Sequence, residues 1–128
     1  MLGRHHAQEP AKPVDTPLLD RAHLDAQTFG DADLAREVLG LFERQLDRLP
    51  PLIAQAPEPG ARVDAAHTLK GSARGVGALR VAGCAEACEH GLRAGCAIAG
   101  ELAGLAEAVA LTREAIARTV AEMAEAPR

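Results

Sequence analysis

Tryptophan and tyrosine are absent, and phenylalanine occurs only twice in 128 residues, although 48% of the chain is hydrophobic. A core without aromatic bulk must be filled by Leu, Val, Ile and Ala. That composition suits closely packed helices better than sheets, which favour aromatic and β-branched residues. Positive charge is also scarce. The 14 Lys and Arg stand against 18 Asp and Glu, a formal net charge of -4, which provides no general attraction for phosphate backbones or anionic lipid. Nucleic acid and membrane surfaces are therefore poor candidate partners. No segment approaches the roughly 18 continuous apolar residues that a membrane span needs, and Met1-Leu2-Gly3-Arg4-His5-His6 contains no apolar run of the secretory kind. These features predict a cytoplasmic protein. Cys84, Cys88 and Cys96 form an odd set within one short stretch, unlike the disulfide framework of a small secreted fold, and reduced thiols are expected.

The length suits one domain. Residues 1–17 hold Pro10, Pro13 and Pro17 among polar neighbours and read as a flexible tail, with the His5-His6 pair solvated and without a task. The domain proper is expected over residues 18–126. Asp20 can cap a short helix to about Thr28, Gly30 stops it, and Asp31 caps a long second helix with acidic Asp33 in its first turn. Leu34, Val38, Leu41, Phe42, Leu49, Leu52 and Ile53 form its expected apolar stripe. Pro50-Pro51 predicts a kink or restart before the helix ends at Pro57-Glu58-Pro59-Gly60. A third helix is expected from about Ala61 to Val76 and a fourth from near Leu79, with Val81, Cys84, Ala85, Cys88 and Leu92 on one face. In the last helix, Leu102, Leu105, Val109, Thr112, Ile116, Val120 and Met123 make a narrow seam opposite Glu107, Glu114, Arg118 and Glu125. Short connections between long helices predict an all-α, antiparallel up-down-up-down four-helix bundle with a short additional N-terminal helix.

The third helix is the informative one. On a helical wheel Ala65, Leu69, Ser72 and Val76 oppose His67, so the core lies behind an imidazole that faces water. Asp64 and Lys70 flank it, and Arg74 stands almost above it two turns on. Gly71 inside a helix costs roughly 1 kcal/mol relative to Ala. It lies one turn beyond His67 with Gly75 one turn further, which strips the helix surface beside the ring. Ser72 is placed to bond back to the Thr68 carbonyl. An exposed histidine by itself is compatible with an idle surface residue; the combination with Lys70, Gly71 and Ser72 is what carries information.

The stretch Ala66-His67-Thr68-Leu69-Lys70-Gly71-Ser72-Ala73-Arg74-Gly75-Val76-Gly77-Ala78 closely resembles the signature of histidine phosphotransfer (HPt) domains, His-x-x-Lys-Gly-Ser followed by a Gly-Ala turn. A looser resemblance runs from about Leu18 to Met123, departing at Gly75, where many members carry Asn, and at Pro50-Pro51. The resemblance implies a stand-alone phosphorelay intermediate without nucleotide-binding or autokinase element. His67 would accept phosphate from an aspartyl phosphate on a response-regulator receiver domain and return it to another receiver, with a hybrid histidine kinase as a further candidate upstream. Lys70 would stabilise phosphoryl charge. Asp64, Gly71, Arg74 and Gly75 would meet the partner, while Ser72 and Gly77 would be structural. The family also places an acidic or amide residue of the next helix near the ring, and Glu89 is the matching candidate, with Glu86 as fallback. No intrinsic cofactor is implied; Mg²⁺ belongs to the partner receiver. A monomer is expected.

Cys84-x-x-x-Cys88-x-His90 has the look of a metal motif, but both thiols share the apolar face while His90 points away, so core packing is the expectation and no metal site is assigned. Two other functions stay open at this point. One is a binding module of the same fold that docks a receiver or kinase without transfer. The other is a structural helical adaptor whose last seam packs a partner helix.

Overall fold

A computed structural model describes residues 16–125, so most of the expected tail, including His5 and His6, lies outside the described residues. Five helices succeed one another: α1 (Arg21–Gln27), α2 (Ala32–Gln55), α3 (Pro59–Val76), α4 (Leu79–Arg93) and α5 (Ala99–Glu125), with no strand among the described residues. The four long helices pack in chain order, α2 on α3, α3 on α4 and α4 on α5, and α5 closes back on α2. Only a short connection joins each to the next, which is the arrangement of an antiparallel bundle. The short α1 rests on α3, with Leu24 fully buried.

Local chemistry explains the boundaries. Asp20 and Asp31 cap α1 and α2 by accepting from the amides of His23 and Leu34, each at 3.1 Å, which satisfies donors the first helical turn leaves unpaired. Pro59 and Gly60 belong to α3 rather than to the end of the preceding helix. Proline has no amide hydrogen to lose in a first turn and its fixed φ suits that position, so α3 begins two residues before the expected Ala61.

The phase of α2 also differs from the expected one. Its buried residues are Ala35, Leu39, Phe42, Leu46, Leu49 and Ile53, whereas Leu41 and Leu52 are exposed. At about 100° per residue, Ala35, Leu46 and Ile53 lie near the middle of the buried stripe, Leu39 at about 40° on its edge, and Leu41 and Leu52 at least about 100° from its centre. The helix does not restart at Pro50-Pro51 but runs through both. Leu49 and Ile53, on either side of the prolines, are anchored in the core. Beyond them the Ala56 amide donates to the Leu52 carbonyl at 3.0 Å and Arg62 Nε to the Ile53 carbonyl at 2.7 Å. Tertiary packing thus offsets the hydrogen bonds that proline removes.

The turn that fixes α4 beside α3 depends on Gly77. Its φ of +87° ends α3 in the left-handed region, and the Ala78 amide returns to the Ala73 carbonyl at 2.8 Å, a glycine-terminated helix end. The Gly77 carbonyl accepts from the Asp20 amide at 2.8 Å, and a Cβ at this position would stand 2.9 Å from the Asp20 carbonyl oxygen. No side chain fits there. Thr16 and Pro17, expected in the tail, are held at the same end: their carbonyls accept from Arg80 Nε at 2.9 Å and the Arg80 amide at 3.1 Å. Cys84 and Cys88 pack in the core, where burial pushes both thiols up, Cys88 to about 11, while His90 is exposed.

Candidate functional site

Leu69, Ala66 and Ala73 of α3 are fully buried, and they turn the other face of the helix outward with His67 exposed on its flank toward α4. The His67 side chain is 64% exposed. Its Nδ1 lies 3.1 Å from Oε2 of Glu89 on α4, so the two-residue turn at Gly77 and Ala78 determines the reach between ring and carboxylate. Glu89 is itself buried, an unusual position for a carboxylate without partners. Two fixed cations supply them. Lys70 Nζ stands 2.8 Å from Oε1, and Arg93, one turn further along α4, donates Nε and Nη2 to Oε2 at 3.1 and 2.9 Å.

This cluster determines the tautomer of the neutral ring. Lys70 foremost, then Arg93 and His67, hold the Glu89 carboxyl down to about 2 against the opposing effect of burial. An ionised carboxylate is an acceptor only. The hydrogen shared with it must therefore sit on His67 Nδ1, and in the neutral ring Nε2 carries the lone pair. The arrangement presents one oriented nitrogen nucleophile from an open helix surface.

The structure brings His67, Lys70 and Glu89 together and adds Arg93, which the sequence reading did not single out. The signal was the i, i+4 spacing of Glu89 and Arg93. It also corrects the picture of Lys70 as a cation flanking the ring in water. The Lys70 side chain is only 17% exposed, because the buried Glu89 anion draws its ammonium inward. Glu86, the fallback orienter, instead pairs with Arg74 at 3.4 Å. Asp64, Gly71 and Gly75 lie exposed on the α2 side of the ring, and a Cβ added at either glycine would meet nothing within 4 Å. Across that bare strip α2 presents the exposed apolar side chains of Leu41 and Leu52. Ser72 is half-buried and lines the α2–α3 groove with Gln45 and Val76. A cavity of about 440 Å³ between α4 and α5, walled by Arg80, Cys84, Gly104 and Ala108, opens on the face of α4 turned away from Glu89 and takes no part in the site.

The low Glu89 value fixes the sign of a pH effect. Its folded-state value is depressed, so the ion cluster contributes stability above about 4.5 that is lost as pH falls toward about 2. Glu89→Gln is expected to cost about 1–3 kcal/mol at neutral pH. Urea titrations of the two proteins should converge as pH drops through that window, and a gap independent of pH would contradict the ionic origin.

Among the described residues no helix is long and apolar enough to cross a membrane. Comparison with curated proteins and with solved structures gives no match. The family model described as Hpt domain matches residues 32–126, which takes in α2 to α5 and every residue of the His67 cluster. The chain therefore belongs to the Hpt domain family, whose members work with two-component partners.

Proposed function

We propose that this protein is a phosphorelay intermediate that accepts a phosphoryl group on Nε2 of His67 from a receiver-domain aspartyl phosphate and passes it to the aspartate of another receiver. The observation that carries this reading is the His67–Glu89 hydrogen bond on a ring otherwise open to solvent. Nε2 attacks phosphorus, the bond from phosphorus to the aspartyl oxygen breaks, and the carboxylate leaves with its electron pair. Glu89 holds the ring in the tautomer that makes Nε2 the nucleophile, as carboxylates do for catalytic histidines. Phosphoryl transfer needs chiefly alignment and charge stabilisation. The receiver contributes Mg²⁺ and acidic groups, while Lys70, with ammonium hydrogens beyond the one directed at Glu89, supplies positive charge beside the ring.

A convex helix face suits a substrate carried by another protein better than a free small molecule, which is normally enclosed in a concave site. The bare strip at Gly71 and Gly75, bordered by Asp64, Arg74 and the apolar Leu41 and Leu52, supports receiver docking there. The test is incubation with a phosphorylated receiver and mapping of the modified residue by mass spectrometry. The expected product is an acid-labile, alkali-stable phosphoramidate on His67. Modification at another residue, with His67 unmodified, would overturn the proposal.

A further inference from the structure

We propose that Arg93 is a positioning residue that sets how long a phosphoryl group remains on His67, acting through the carboxylate of Glu89. The inference rests on His67 being the phospho-acceptor and concerns the stability of the phosphorylated ring.

The geometry that points to it is a shared atom. Arg93 directs two N–H groups at Oε2 of Glu89, and His67 Nδ1 meets the same oxygen, while Lys70 occupies Oε1. Ring and guanidinium therefore draw on one acceptor. Lys70 is largely buried, whereas the Arg93 side chain is 60% exposed at the last turn of α4. Arg93 can thus be altered with little disturbance to packing. The groups that reach Glu89 are the Lys70 ammonium and the His67 ring from α3 and the Arg93 guanidinium from α4. Asp64 and Arg74 on α3 and Glu86 on α4 complete the set around the ring, with Arg48 of α2 across the groove beside Asp64.

Attack by Nε2 leaves the proton on Nδ1, so the loaded ring is an N-phosphoimidazolium cation facing the Glu89 anion. Loss to water proceeds by attack of the water oxygen on phosphorus and cleavage of the bond from phosphorus to Nε2. If Nδ1 still holds its proton, the leaving group is neutral imidazole. If the proton has gone, it is imidazolate, a far poorer leaving group. The lifetime of the phosphoryl group therefore depends on the affinity of Nδ1 for its proton. Glu89 raises that affinity by accepting the hydrogen bond, and Arg93 lowers it by adding positive charge and by competing for Oε2.

The experiment loads wild type, Arg93→Gln, Arg93→Lys and Glu89→Gln with labelled phosphoramidate as a small phosphoryl donor, removes the donor, and monitors loss of label across pH. In parallel, NMR titration of the His67 ring in the unphosphorylated proteins reads proton affinity without any phosphoryl chemistry. In Arg93→Gln the pH at which loss falls to half its maximum should rise by about half a unit to one unit, with a shorter lifetime at neutral pH. Glu89→Gln should move it the opposite way, and Arg93→Lys should return it toward wild type. A merely structural role for Arg93 predicts no such opposed pair. Label on His67 with an unmoved or lowered midpoint in Arg93→Gln overturns this inference and leaves the phospho-acceptor reading standing. Absence of label at His67 in every protein overturns both.

Discussion

His67→Gln is expected to take up no label from a phosphorylated receiver while remaining folded. The ring is exposed and its one side-chain hydrogen bond goes to Glu89, so removing it opens no cavity. A glutamine amide also retains hydrogens that can be donated to the carboxylate. The stability change should stay within about 1 kcal/mol. Chemistry, by contrast, has no substitute in the cluster. Lys70 and Arg93 are cations bound to Glu89, and an ionised carboxylate at a pKa of about 2 is a weak nucleophile. The protein holds its own comparison in His90, another exposed histidine, on α4, for which no hydrogen bond to a carboxylate is seen among the described residues. His90→Gln should transfer at the wild-type rate. Label that persists in His67→Gln, or that disappears in His90→Gln, would refute the assignment.

How much of the fold and the site was legible in the sequence depends on whether a feature is carried by one helix or by two. The wheel of α3 places His67 opposite Ala65, Leu69 and Val76, and the bundle buries those three, because spacing along one helix determines angle directly. The cap at Asp20 and the cap at Asp31 arise from local hydrogen bonding and are equally readable. The stripe of α2 was misplaced because its leucines occupy two overlapping faces. Leu41 and Leu52 drew the expected centre toward solvent and away from Leu39 and Leu46, and only packing against the other helices decides between such faces. At Pro50-Pro51 the restart that local propensity allows does not occur, since the core anchors on either side of it are invisible to that propensity. The cluster at Glu89 needs the distance from α3 to α4. Its proximity to His67 was inferred from the family resemblance, whereas the seizure of Lys70 by Glu89 and the presence of Arg93 emerge only when the two helices are placed together.

Gly71 provides the other large effect, because at this position the demands of folding and of docking oppose each other. Nothing lies within 4 Å of a Cβ built there, and the residue is exposed in the interior of α3 with no positive φ to maintain. A side chain should therefore be accommodated without clash, and Gly71→Gln should raise helix stability by about 0.5–1 kcal/mol, seen as a higher melting temperature. A partner closing over His67 would meet that side chain one turn from the ring. Displacing it or docking around it should cost about 1.4–3 kcal/mol, a loss of roughly 10- to 100-fold in receiver affinity and in transfer at limiting receiver concentration. Gly71→Ala, with one methyl group, should gain at least as much stability and lose much less transfer. Loading by phosphoramidate discriminates the cause, because a small donor needs no docking surface: Gly71→Gln should still be phosphorylated at close to the wild-type rate. If the small donor fails as well, Gly71 serves the chemistry of the ring rather than access to it. If receiver transfer is unimpaired in the stabilised variant, the partner approaches His67 from the α4 side, over Arg74 and Glu86, rather than across the bare strip.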